Sequence, residues 1–230
     1  MKIIVPLAGP DYFSGGTAKG LIETPHGPLL LSTLRMRCWF DAVPSANYSF
    51  VLLDSSVSRE FYHDFLLAWF PGCTASFISK PTRGAALTSL IGCAAIMDSV
   101  DEEIIIDLAD IQFSTSHIPF SESRDSGYAA IGYSFESSLP CYSYFEVADD
   151  ACTVIRAEEK KIISTYASAG VYCFRNLNIL LSSLAVVLEQ GNLYTYNGIY
   201  YVCPLFNGVI ASGNQAMISP VFNVCDIKTF

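Results

Sequence analysis

Apolar residues in this chain come in short runs broken by turn signals. Ile3–Leu7, Tyr48–Leu53, Ala75–Ile78 and Glu103–Leu108 are nearly continuous apolar segments of strand length. Between them, Pro28–Phe40, Val57–Phe70 and Gly84–Val100 repeat apolar positions at helical spacing, and Pro71 and Gly72 close the second of these. Strands apolar on both faces and separated by helices predict a parallel sheet covered on each side, with right-handed crossovers. After residue 110 the pattern changes. Tyr128–Phe135, Tyr142–Val147, Thr153–Ala157 and Gly170–Phe174 read as strands, and Asn176–Gln190 and Pro204–Ala211 as helices. The second half is expected to extend the sheet and build over its carboxyl edge. With no linker, repeat or low-complexity segment, the expectation is one domain with two lobes, 1–113 and 114–230.

Composition narrows the classes. Of 230 residues, 51% are hydrophobic and 15% charged, which argues against disorder. No apolar run reaches the roughly 20 residues of a membrane span, and the N-terminus lacks a basic head with an apolar signal core. The expectation is a soluble, cytoplasmic protein without membrane insertion. A net charge of −9 without a basic stripe counts against nucleic acid as partner. The eight cysteines are scattered without a C-x-x-C pair and read as buried small hydrophobes.

Two stretches carry candidate chemistry. After its first strand the chain runs through Gly9, Gly15, Gly16 and Gly20 with Lys19 among them. In an open α/β sheet, ligands sit beyond the carboxyl ends of the strands. A glycine-rich turn there lets backbone N–H groups approach a phosphate, and a lysine adds a mobile charge. Neither G-x-x-x-x-G-K-[ST] nor G-x-G-x-x-G is present, so a plain surface loop stays open. The second stretch, "IIIDLADIQF", ends a buried strand with Asp107 and Asp110. These suit a Mg²⁺ site at the crevice, or else a strand cap and a turn cap.

The chain resembles the sugar-phosphate nucleotidyltransferases, the nucleotide-sugar pyrophosphorylases, and in particular their small bacterial capsule and surface-polysaccharide branch. The resemblance runs through "IVPLAG" with "AKGLIETPHGPLL", then "TRGAALTSLIG", "IIIDLADIQF", "VIRAEEKKIISTYASAGVYCF", "YYVCPLFNGVIASG" and "VCDIKTF", in the family's order. It implies an α/β fold of the Rossmann-like GT-A type, with a mixed, mostly parallel central sheet and a smaller acceptor-binding lobe. It implies a nucleoside triphosphate (NTP) and a phosphorylated acceptor such as a sugar 1-phosphate as partners, Mg²⁺ as cofactor, and pyrophosphate release. By this resemblance Lys19 and Asp110 are catalytic. Leu7, Ala8, Gly9, Gly15, Gly16, Arg83, Gly84 and Ala85 hold the nucleotide. Glu159, Lys160, Gly170 and Tyr172 face the acceptor, and Asp110 with Asp226 holds the metal. "EEKK" alone would also suit a solvated charge run.

The chain departs from the family at "AGPDYFSGG", where Tyr12 or a neighbour replaces a triphosphate-gripping arginine. Arg83 or Lys80 could compensate. Two alternatives therefore stay open: a cytidylyltransferase acting on a non-sugar phosphorylated molecule, and a catalytically weakened nucleotide-binding or regulatory relative. The base, the acceptor and any homo-oligomer are open as well.

Overall fold

The computed structural model describes residues 1–10, 12–13, 16–98 and 100–226. In chain order the strands and helices are β1 (Lys2–Pro6), β2 (Glu23–Thr24), β3 (Gly27–Pro28), α1 (Leu29–Arg35), β4 (Tyr48–Leu53), α2 (Ser56–Phe61), α3 (Leu67–Trp69), β5 (Thr74–Ile78), α4 (Ala85–Ala94), β6 (Ile104–Asp107), β7 (Ile111–Ser114), β8 (Ala130–Glu136), β9 (Ser143–Val147), β10 (Val154–Glu159), β11 (Tyr166–Phe174), α5 (Leu177–Glu189), α6 (Leu205–Ala211), β12 (Ala216–Pro220) and β13 (Phe222–Asp226). A π-helical turn over Tyr62–Leu66 joins α2 to α3.

β5, β4, β1 and β6 lie side by side and parallel. β11 runs antiparallel to β6 and carries β8 and β9, and β8 in turn pairs in parallel with β12. β10 closes the edge against β9. Seen by direction, β10 and β11 oppose the other strands of a nine-stranded sheet, so it is mixed and mostly parallel. Alternation distributes the core: Ile3, Val5 and Ile105 pack on the α1 side, and Ile4, Ile104 and Ile106 on the side of α4, α5 and α6. Burying each such side chain contributes about 1.5–3 kcal/mol. Among the described residues, no helix is long and apolar enough to cross a membrane.

Several boundaries differ from the periodicity. The segment expected as a helix to Phe40 stops at Arg35, because the chain turns at Met36 and sends Arg37 into the core. The helix expected to Val100 ends at Ala94 in a turn at Ala95. β11 begins four residues before Gly170, and β10 runs on to Glu159. The pattern does not predict β7, β12 and β13: β7 and β13 form a separate two-stranded ladder that depends on a partner 115 residues away at Asp226↔Ile111 and on no local pattern.

Arg37 explains the first of these differences. Its Nε donates to Asp107 Oδ2 at 2.7 Å, and its Nη2 to Asp107 Oδ1 at 3.0 Å and to the Ile111 carbonyl at 3.0 Å. Both side chains are fully buried, and the guanidinium lies 3.9 Å from the Phe113 ring centroid. Asp107 Oδ1 also accepts the Ala109 N–H at 2.9 Å. These bonds hold Ala109 at φ 52°, a left-handed conformation unfavourable for a residue with a Cβ.

Replacing Arg37 by methionine should strand the Asp107 carboxylate in the core and cost about 3–5 kcal/mol, read as a lowered urea midpoint. Adding Asp107→Leu should recover part of the loss. It removes the stranded charge, although the Ala109 N–H and Ile111 carbonyl then lack these partners.

Candidate active site

Two cavities meet at the carboxyl ends of β1 and β6. The first, about 330 Å³, is lined by Leu7, Gly9, Tyr12 and Lys19 on one side and by Leu108, Ala109 and Asp110 on the other. The second, about 180 Å³, is lined by Leu108, Asp110, Tyr142, Ser143, Glu159, Lys160, Gly170, Tyr172 and Tyr201, with Ala85 at its wall. Leu108 and Asp110 belong to both and form the partition.

The loop after β1 closes on itself. The Tyr12 N–H donates to the Gly9 carbonyl at 3.2 Å, and the Lys19 N–H to the Tyr12 carbonyl at 2.7 Å. This presents Lys19, half-buried, at the first cavity. Among the described residues its ammonium makes no ion pair. Tyr12 packs its ring against Phe13 and Phe61 and buries its hydroxyl over Gly20. Burial pushes that phenol far above its ordinary pKa. At the expected place of an arginine, then, the chain has a neutral side chain facing inward.

Leu7, Gly9 and Lys19 reach the first cavity, and Ala8 is buried just behind it. Gly16 is exposed at φ 80°, and Gly15 lies outside the described residues. The structure does not bring Arg83 and Gly84 to this cavity. Gly84, at φ 119°, lies directly beneath the Tyr200 carbonyl, where any Cβ would collide. Arg83 donates from Nη2 to the Gly198 carbonyl at 3.0 Å. A nucleotide held at Gly84, as the resemblance implies, would on this side meet the Tyr200 carbonyl first.

On the second side the four acceptor residues converge. Glu159, nearly buried, accepts a short hydrogen bond from the Ser143 hydroxyl. Lys160 takes φ 52°, and its N–H donates to the Tyr142 carbonyl at 3.1 Å. The Tyr172 hydroxyl accepts from Ser168 at 2.8 Å. Gly170 bonds the Leu108 N–H through its carbonyl at 2.9 Å. It takes φ 76°, and a Cβ there would lie 2.5 Å from Asp110 Oδ1. Glycine here is what lets the Asp110 carboxylate lie against β11.

Asp226 arrives by tertiary pairing. The β13–β7 ladder sets it opposite Ile111, next in chain to Asp110. The Tyr142 hydroxyl donates to Asp226 Oδ2 at 2.8 Å. Burial comes first in raising the Tyr142 phenol, followed by Asp226, with Asp110 also contributing. Burial likewise raises Tyr172, with Glu159 and Asp110 acting on it in the same sense. Asp110 thus stands at the partition, with Glu159 in the second cavity and Asp226 bonded to the Tyr142 that lines it. Among the described residues no three His, Cys, Asp or Glu side chains form a metal cage. Two carboxylates completed by phosphate oxygens and water are nonetheless how proteins commonly hold Mg²⁺, so the donor set fits.

Sequence reading missed Tyr142, Ser143 and Tyr201 at the second cavity and Arg37 beneath the first. Tyr142, Ser143 and Arg37 stand in no motif, and only the fold brings them to the site; Tyr201 lies inside "YYVCPLFNGVIASG", where nothing local marks it as a cavity wall. Burial pushes the Cys73 thiol up to about 11 and Cys93 up to about 12, in keeping with inert packing residues. Cys141 and Cys225 are exposed.

The architecture is that of the nucleotidyltransferase fold. The chain matches no protein-family model and no curated protein. Among solved structures it is similar to a nucleoside-diphosphate-sugar pyrophosphorylase from Vibrio cholerae RC9, with TM-score 0.82, 19% identity, 98% of this chain and 95% of that one covered. A UDP-glucose pyrophosphorylase solved with UDP-glucose gives TM-score 0.66 at 17% identity, over 98% of this chain and 92% of that one. The inositol-1-phosphate CTP transferase from T. maritima gives TM-score 0.60 at 11% identity, over 97% and 86%.

Substituting Gly170 by alanine should cost about 1–3 kcal/mol, because strain at positive φ adds to the collision with Asp110. Gly213, at φ 79° with nothing nearby, is the control for backbone strain alone. Calorimetric melting should show Gly170→Ala lowering Tm more than Gly213→Ala.

Proposed function

We propose that this chain is a Mg²⁺-dependent nucleotidyltransferase that moves a nucleoside monophosphate from an NTP to a phosphorylated sugar. It would release pyrophosphate and form an NDP-sugar for surface-polysaccharide synthesis. The observation that carries this reading is the pair of cavities sharing Asp110, with Lys19 on one side and Glu159 and Lys160 on the other. A transfer between two phosphate-bearing substrates needs two pockets that meet at one anionic centre.

On this reading the NTP phosphates lie over the loop from Leu7 to Lys19, and the acceptor phosphate is received by Lys160. An acceptor phosphate oxygen attacks the α-phosphorus as the bond to the leaving pyrophosphate breaks. Little covalent chemistry is asked of the protein; its work is positioning and charge neutralisation. Lys19 neutralises the transferred phosphoryl group, and Glu159 with Ser143 orients acceptor hydroxyls. Mg²⁺, when bound, would be held by Asp110 and Asp226 and would neutralise phosphate charge. The Tyr142 hydroxyl, bonded to Asp226, would then orient that carboxylate.

A screen of pyrophosphate release, crossing the common NTPs with phosphorylated sugars, cyclitols and small alcohols, tests the reading. Release with one pair, abolished by chelation of Mg²⁺, supports it. Release only with CTP and a non-sugar acceptor would move the acceptor class. NTP binding with no turnover on any acceptor would favour a regulatory relative. That second reading draws on the loop between Leu7 and Ala18, which has no cationic side chain.

Lys19→Ala should lower kcat by roughly 10²–10³ with a smaller change in KM, because its charge acts most in the transition state. An unchanged kcat in a folded variant would make Lys19 a bystander. Tyr142→Phe should raise the Mg²⁺ concentration needed for half-maximal rate about tenfold, the low end for a residue that orients a metal ligand. Turnover at saturating Mg²⁺ should stay near that of the wild type, which a Mg²⁺ titration of the initial rate would read directly.

A further inference from the structure

Between α5 and α6 the chain makes a small hairpin. The Tyr196 N–H donates to the Ile199 carbonyl at 3.2 Å, and the Ile199 N–H donates back to Tyr196 at 3.0 Å. Asn197 and Gly198, at φ 53° and 73°, form its tip, as an Asn-Gly pair does in a type I′ turn. Two cations hold this hairpin. Arg83 bonds the Gly198 carbonyl at its tip, with the guanidinium 5.4 Å from the Tyr200 ring. Lys160 reaches it from the other side: its ammonium lies 5.4 Å from the Tyr196 ring, 5.3 Å from the Tyr201 ring and 3.4 Å from the Tyr201 hydroxyl. Tyr201 forms a wall of the 180 Å³ acceptor cavity. Tyr196 forms a wall of a neighbouring cavity of about 240 Å³. Lys160 and Glu159 line both, so the lysine passes between the two spaces with the hairpin closing over it.

We propose that this hairpin is a gate latched by Lys160, and that an anionic group entering the acceptor cavity unlatches it. The inference rests on the reading above that Lys160 receives the acceptor phosphate. A phosphate dianion makes a charge-assisted bond to an ammonium, stronger than a bond to a neutral hydroxyl with two exposed cation–π contacts. The lysine therefore transfers from the tyrosines to the phosphate, and the Tyr196 side of the hairpin loses its hold. The Tyr200 side stays, because the Tyr200 N–H donates to the Arg83 carbonyl at 2.8 Å and its own carbonyl accepts the Ala86 N–H at 3.1 Å. One end is thus a fixed anchor on α4, and the other a latch that reads charge. A neutral molecule offers Lys160 nothing better than the tyrosines, so the gate stays shut against it. Tyr196 and Tyr201 are positioning residues for Lys160.

Hydrogen exchange of the full chain, followed by mass spectrometry in inorganic phosphate and in chloride at equal ionic strength, tests this. Peptides covering 194–201 should exchange about two- to fivefold faster in phosphate, the factor carried by loss of one exposed cation–π contact. Lys160→Met should abolish the difference between the two anions. Tyr201→Phe, which removes only the hydroxyl, should speed exchange in chloride while keeping the phosphate response. Phosphate binding by calorimetry without any change at 194–201 overturns the gate alone. A phosphate response that survives in Lys160→Met overturns it too. No phosphate binding by the wild type overturns both the gate and the acceptor reading of Lys160.

Discussion

The buried pair of Arg37 and Asp107 is the constraint on which the candidate site depends. β6 ends on Asp107, and the loop that follows must leave the sheet, pass between two cavities and return as β7. Arg37 grips Asp107 with two nitrogens and the Ile111 carbonyl with one of them, so both ends of that loop are tied to one guanidinium. Asp107 then spends its remaining capacity on the Ala109 N–H. With its flanks fixed, Asp110 has little freedom, and Gly170 leaves just the room its carboxylate needs. A buried ion pair is weak evidence for stability, since desolvation consumes most of its attraction. Its value here is geometric: it holds a strained backbone in one conformation where a carboxylate must be aimed.

The surroundings of Asp110 follow from that placement. β11 lies against β6 and brings Gly170 and Tyr172; β9 and β10 bring Tyr142, Ser143, Glu159 and Lys160; the β13–β7 ladder brings Asp226. Negative charge therefore gathers where the two cavities meet, with one lysine set on each side. Such an arrangement disfavours an anion alone, and a divalent cation, as proposed above, would offset that charge. The tyrosines around it, raised by burial, stay neutral; Tyr142 donates to Asp226, and Tyr172 accepts from Ser168 and walls the second cavity.

Much of the fold was legible because it depends on local pattern. The runs at Ile3–Leu7, Tyr48–Leu53 and Glu103–Leu108 are nearly continuous and apolar and of strand length, the pattern of central strands in a covered sheet. Lys19, Asp110, Glu159, Lys160, Gly170 and Tyr172 were legible through motif order, and the structure gathers all six around the two cavities. Arg83 and Gly84 do not line the first cavity, and no local signal reveals that a loop more than a hundred residues later lies over them. The Asn197-Gly198 pair did carry a hairpin signal, flanked as it is by Tyr196 and Ile199, and could have been read.

By itself, the sequence determined the order of strands and helices, the covered sheet and the residue types available at its carboxyl edge, since periodicity and turn chemistry act over a few residues. It could not determine that the helix after Pro28 would break for Arg37, that Tyr142 would meet Asp226, or that Tyr12 would turn inward. Those outcomes rest on partners 70 and 84 positions apart for the first two, and on packing against Phe61 for the third. A buried guanidinium is tolerable only once a carboxylate is beneath it, and a carboxylate aims only once its neighbours are packed. Such conditions exist in three dimensions and leave no period along the chain.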